Sequence, residues 1–122
     1  MNNENELRAL NMQAQMISEQ LNRVDSGLME IDYLKTSLDE LSSVKENTEI
    51  LTPISNGIFA KAKLEKIKNL MVNVGNGIVV EKTLEETKGL LDERISEMNE
   101  AREKLLDQMQ KLEDHLIKIG EK

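Results

Sequence analysis

The sequence predicts an α+β fold: two long helices forming an antiparallel coiled coil, joined by two central β-hairpins that assemble into an oligomeric β-barrel. Three observations point there. Apolar residues in the outer thirds recur at steps of three and four, the seam pattern of a coiled coil. In the middle the period drops to about two, the signature of half-buried strands. An Asn-Gly pair interrupts that middle segment twice, at Asn56-Gly57 and Asn76-Gly77.

Composition agrees with helices more than with a compact catalytic core. Of the 122 residues, 32% are charged, and Tyr33 and Phe59 are the only aromatics. A chain of this length corresponds to one domain or one unit. The chain is rich in Leu, Glu, Lys and Met, as long helices are. The formal net charge of −7 disfavours nucleic acid and anionic membranes as partners. No apolar run reaches the roughly 20 residues that span a bilayer. With no cysteine there is no disulfide framework and no thiolate site. The expectation is a soluble, cytoplasmic protein.

The first helix is predicted over residues 4–45. Leu7, Leu10, Ala14, Ile17, Leu21, Val24, Leu28 and Ile31 alternate steps of three and four. Beyond Ile31 the next apolar residues are Leu34, Leu38 and Leu41, so two steps of three follow each other at Leu28, Ile31 and Leu34. Such a shift overwinds a coiled coil locally or turns its contact face to a new partner. Gly27 weakens the helix by about 1 kcal/mol relative to Ala.

The second helix is predicted over 84–119. Leu84, Leu91, Ile95, Met98, Leu105, Met109, Leu112, Leu116 and Ile119 share one seven-residue grid, with Lys88 and Arg102 at its two polar positions. Thr83 followed by Glu86 is a capping-box signature at its start. At 1.5 Å per residue each helix is on the order of 50–60 Å long, which suits an antiparallel pair.

Residues 48–82 are predicted to form the double hairpin. Ile50 and Leu51 lead through Pro53 and Ile54 to Asn56-Gly57, after which Ile58, Ala60, Ala62 and Leu64 alternate with Phe59, Lys61 and Lys63. Leu70, Val72 and Val74 then alternate with Met71 and Asn73 ahead of Gly75-Asn76-Gly77, and Ile78, Val79 and Val80 follow. Asn-Gly between β-rich runs favours a type I′ turn, which needs positive φ at both central residues. Pro53 cannot donate to a ladder and so belongs at a strand start, a bulge or an edge. Glu65 to Asn69 is expected to be a short helical turn or a loop. A dinucleotide-binding loop is excluded for Gly75-Asn76-Gly77, because position 80 is Val and the residues after it continue as strand. Isolated hairpins are marginal in water. The faces carrying Ile58, Ala60, Val72, Val74, Ile78 and Val80 therefore call for a shared sheet or barrel built with other chains.

The segments Ile50-Leu51-Thr52-Pro53-Ile54-Ser55-Asn56-Gly57 and Val72 to Lys82, set between two such helices, resemble the prefoldin family, α class. The likeness spans nearly the whole chain. The doubled hairpin distinguishes this class from β-class subunits, which have one. Ser55 stands where the first turn usually carries glycine. The resemblance implies a hexamer with β-type subunits, two α and four β, whose hairpins join into a barrel platform. It also implies an ATP-independent holdase that binds unfolded clients at coiled-coil tips and passes them to a group II chaperonin.

Near the chain termini, Met12, Met16, Leu106 and Ile117 are apolar but lie off the seam. Met suits contact with varied partners. Together with the seam residues Leu7, Leu10, Ile17, Leu112, Leu116 and Ile119 they are the candidate client-binding residues. The bland alternative is ordinary flank packing. A lone His115 makes no metal site, and no cofactor is expected. The acidic and basic runs fit solvated helix faces, and no nucleophile has a paired base, so no enzyme activity is expected. A structural adaptor or filament-forming scaffold without client binding is the alternative function, since the same fold need not carry the same activity. An acidic mimic of nucleic acid rests on net charge alone.

Overall fold

The computed structural model describes residues 2–120. The chain runs α1 (Asn2–Ser42), β1 (Glu49–Ser55), β2 (Ile58–Lys63), β3 (Asn69–Gly75), β4 (Ile78–Thr83) and α2 (Leu84–Gly120). It divides into two compact units. One comprises residues up to Asp32 and from Glu93 onward, the other Tyr33–Asp92.

In the first unit the two helices run antiparallel. His115 meets Glu6, and Arg102 meets Asp25, so residue numbers fall on α2 as they rise on α1. Leu10, Ile17 and Ile31 are buried. Leu7, Ala14, Leu21, Val24 and Leu28 are half-buried, as are Ile95, Met98, Leu105, Met109, Leu112, Leu116 and Ile119. These are the seam positions that the periodicity predicts. Gly27 has a packing reason: a Cβ there would meet the terminal methyl of Met98.

The second unit contains the other ends of both helices, again antiparallel, and both hairpins. Lys35 pairs with Asp92 at 2.6 Å, and Lys88 pairs with Asp39. Leu38, Leu91 and Thr87 are buried. The seam shift expected after Ile31 does not occur there. Leu34 is 45% exposed, whereas Lys35 is half-buried and keeps the seven-residue grid as far as Leu38, after which Leu41 and not Ser42 is half-buried, so two steps of three fall at Lys35, Leu38 and Leu41. A lysine holds a seam position because its alkyl stem covers apolar surface while its ammonium reaches an aspartate at the rim.

α1 stops at Ser42, short of the predicted Lys45. Backbone bonds from Ser43 to Glu40 and from Val44 to Leu41 tighten its last turn, and the Ser42 and Ser43 hydroxyls donate to the carbonyls of Asp39 and Glu40. Carbonyls that a helix end leaves without partners are thereby satisfied. Asn47 then takes a positive φ of 68°, and its N–H donates to the Leu64 carbonyl at 2.7 Å. At the other junction β4 passes directly into α2. The Glu86 N–H donates to Thr83 Oγ1 at 3.0 Å, and the Thr83 N–H donates to Glu86 Oε1 at 3.1 Å, which is the reciprocal capping box.

β1 pairs antiparallel with β2, and β3 with β4, as two separate two-stranded sheets. Asn56 and Gly57 have φ of 46° and 80°, Asn76 and Gly77 of 52° and 75°, as type I′ turns require. Both ladders shift register just before the turn, leaving Ile54 and Val74 as the extra residues of bulges. Gly75 has φ of 125° and donates its N–H to Asn73 Oδ1 at 2.9 Å. Pro53, at the matching place in β1, offers no such acceptor, and Ser55 takes no positive φ. Residues 64–68 form a loop without a helical turn.

Candidate interaction surfaces

The first surface lies in the unit that holds the helix ends near the chain termini. Met12, Met16 and Ile117 are 65%, 57% and 59% exposed, and Leu106 is also exposed. Heptad geometry explains this, since all four sit beside or opposite the seam. Leu10 and Ile17, read from the sequence as contact residues, are buried on the seam and contribute little free surface. Leu7, Leu112, Leu116 and Ile119 are half-buried on the seam. Met16 and Ile17 line a shallow groove of about 240 Å³ with Gln13, Gln20 and Gln108, so apolar sulfur and carboxamides face one space. Sequence reasoning missed these glutamines because polar flank positions look alike in any coiled coil. It also missed the partner of His115, which meets Glu6 at 3.0 Å across the helix pair.

The second surface is the hairpins of the other unit. Ile50, Leu51, Ile54, Ile58 and Phe59 are exposed on the first hairpin, as are Met71, Val74, Ile78 and Val79 on the second. Ala60 is exposed too, while Leu70, Val72 and Val80 are half-buried. The expected apolar face of the second hairpin is thus split. Val72 and Val80 are half-buried, whereas Val74, the extra residue of the bulge, and Ile78, next to the turn, are exposed.

Hydrogen-bond parity sets what each strand offers at its outer edge. Leu64 bonds back toward β1 through both its N–H and its carbonyl. Antiparallel pairs alternate between bonded and non-bonded, so Ala62, Ala60 and Ile58 also bond inward. Pro53 faces Phe59 at a non-bonded pair, so its missing N–H removes no ladder bond.

Among the described residues no group of three or more His, Cys, Asp or Glu could hold a metal ion. No helix among them is long and apolar enough to cross a membrane.

Comparison with known proteins gives a consistent picture. The family model for prefoldin subunits matches residues 10–122. A prefoldin subunit alpha of Pyrococcus horikoshii is 30% identical over 118 residues, spanning 96% of this chain and 80% of the relative. One from Methanobrevibacter smithii is 27% identical over 110 residues, spanning 90% and 75%. One from Thermococcus onnurineus is 38% identical over 93 residues, spanning 75% and 63%. Among solved structures, a chain in the cryo-EM structure of filamentous PFD from Methanocaldococcus jannaschii matches with a TM-score of 0.87. It is 21% identical, with 95% of this chain and 96% of that chain covered, and this similarity speaks for the fold alone.

Proposed function

From the premise that this chain belongs to the prefoldin family of chaperones, we propose that it is the α-type subunit of an ATP-independent holdase, assembled with β-type subunits as two α and four β chains in the cytoplasm. It captures unfolded proteins at the helix ends near its termini and passes them to a group II chaperonin. The observation that carries this reading is the off-seam apolar set Met12, Met16, Leu106 and Ile117, exposed and therefore free for contact. Apolar side chains of a client lose water against such a surface, and flexible Met conforms to different sequences. The adjoining glutamines supply donors and acceptors for the client's backbone.

The test is turbidity of a chemically unfolded client in the presence of the chain co-assembled with a β-type subunit. Intact chain is compared with chain lacking residues 1–17 and 105–122. Suppression of aggregation by the intact complex, weakened by trimming, supports the holdase. A well-assembled intact complex that suppresses nothing removes it and favours the second reading, a scaffold or filament unit without client binding. That reading draws on the structural similarity to a chain of filamentous PFD.

A further inference from the structure

Methionine is the only sulfur this chain offers to an oxidant, since it has no cysteine. Met12, Met16, Met29 and Met71 are exposed, whereas Met98 and Met109 are half-buried on the seam. Met12 and Met16 stand four residues apart on α1, which makes their side chains neighbours on one face. Met16 also lines the shallow groove with Gln13, Ile17, Gln20 and Gln108. The polar lining of that groove consists of carboxamides, which carry N–H donors. A thioether is a weak acceptor and makes little use of such donors. Oxidation adds a polar S–O group to the same side chain and changes that match.

We propose that Met12 and Met16 are a modification site, oxidised to methionine sulfoxide by hydrogen peroxide, and that this oxidation switches off client capture at the helix ends. This deepens the capture reading above and rests on it. In the step a sulfur lone pair attacks one peroxide oxygen, and the S–O bond forms as the O–O bond breaks. The departing hydroxide takes the proton from the transferred oxygen and leaves as water. Sulfur gives up an electron pair and the peroxide is reduced by it. The product has less apolar surface to withdraw from water, so it holds a client's apolar side chains less well. At Met16 the new oxygen has the Gln13, Gln20 and Gln108 carboxamides beside it as donors. Bonds to them occupy groups that otherwise meet a client's backbone. Susceptibility follows exposure, so the half-buried Met98 and Met109 react later and the helix pair outlasts the switch.

The experiment exposes the full chain, co-assembled with a β-type prefoldin subunit, to graded hydrogen peroxide. Peptide mass mapping follows each methionine, and turbidity of an unfolded client follows capture. Met12 and Met16 are expected to gain oxygen at least about threefold faster than Met98 and Met109. The amount of complex that half-suppresses aggregation is expected to rise by at least about threefold, and to fall back after treatment with methionine sulfoxide reductases and a dithiol. The same course is run on Met12→Leu/Met16→Leu, with each complex compared to its own untreated sample. Peroxide is expected to change that variant little, because leucine has no sulfur, although Met29 and Met71 remain oxidisable. Equal loss in the variant places the sensitive residue elsewhere and overturns the assignment. Oxidation of Met12 and Met16 no faster than that of Met98 and Met109 overturns the site. Full conversion of both residues with capture unchanged overturns the switch and leaves the capture reading standing. An untreated wild-type complex that suppresses nothing overturns the capture reading and the switch with it.

Discussion

Positive φ at Asn56, Gly57, Asn76 and Gly77 means that four residues hold the two turns in a backbone region most side chains avoid. Nothing lies within 4 Å of a Cβ added at Gly57 or Gly77, so an alanine there is penalised by backbone geometry and not by collision. Gly57→Ala and Gly77→Ala are each expected to lower stability by about 1–2 kcal/mol, read as a shift of the urea midpoint. At Thr83 the capping box adds a pH dependence. The Thr83 backbone N–H, then its hydroxyl, and then the charge of Lys82 hold the Glu86 carboxyl below its ordinary pKa. A lowered folded-state pKa means the contribution is present above the unfolded carboxylate range and is lost as pH falls through the folded value. The stability gap between wild type and Glu86→Gln should therefore be visible at neutral pH and close on acidification; a gap independent of pH would contradict the assignment. Both features were legible in the sequence, because turn and cap chemistry depend on residues next to each other. Gly75 was legible only as part of a turn. Its φ of 125° and the bond to Asn73 follow from a bulge that residue order does not announce.

Helix seams were legible wherever they were apolar, as the unbroken run from Leu7 to Ile31 shows. On α1 the seam was misread where a charge took over, since apolar counting jumped to Leu34 and passed over Lys35, whereas on α2 the regular grid already placed Lys88 and Arg102. What places Lys35 on the seam is a partner distant in sequence, Asp92, and Lys88 has such a partner in Asp39. Lysine four residues before aspartate on each helix forms a reciprocal set of two ion pairs. The lysines are about one-third exposed and the aspartates about 60%, so screening leaves each pair worth roughly 0.5 kcal/mol. A double-mutant cycle on Lys35→Ala and Asp92→Ala should return a coupling of that size, shrinking in high salt. A coupling of zero at low salt would show that the lysine is held by its stem alone. Propensity gives a second test on α2. Gly89 is exposed with open space around its Cα, so Gly89→Ala should raise stability by about 1 kcal/mol. Gly27→Ala should gain less, because the end of Met98 must first move aside.

Burial is unevenly shared across the chain. Among the described residues five apolar side chains are buried, while nine large exposed ones lie on the hairpins. Exposed apolar area on this scale marks an interaction surface, and it was legible as a need for partners because two isolated hairpins have faces and edges with nothing to cover them. Which side chains would be half-buried was not legible, since Leu70, Val72 and Val80 share their residue types and alternation with the exposed Ile78 and differ from Val74 by a bulge that residue order does not announce. The residues near the termini form a separate apolar set in the other unit, which allows assembly and capture to be separated by mutation. Without a partner the chain is expected to self-associate, with light scattering rising with concentration. Polar replacement of hairpin residues, Leu51→Ser with Phe59→Ser, should lower that scattering and also impair assembly with the β-type subunit. Met12→Gln with Met16→Gln and Ile117→Gln should leave scattering and assembly unchanged while reducing suppression of client aggregation. All five positions are exposed, so loss of core packing does not account for either outcome. If the hairpin pair abolishes capture in a complex that still assembles, the client surface lies on the hairpins and the assignment to the helix ends is wrong. If the helix-end triple changes neither property, those residues are solvated flank positions and the scaffold reading gains.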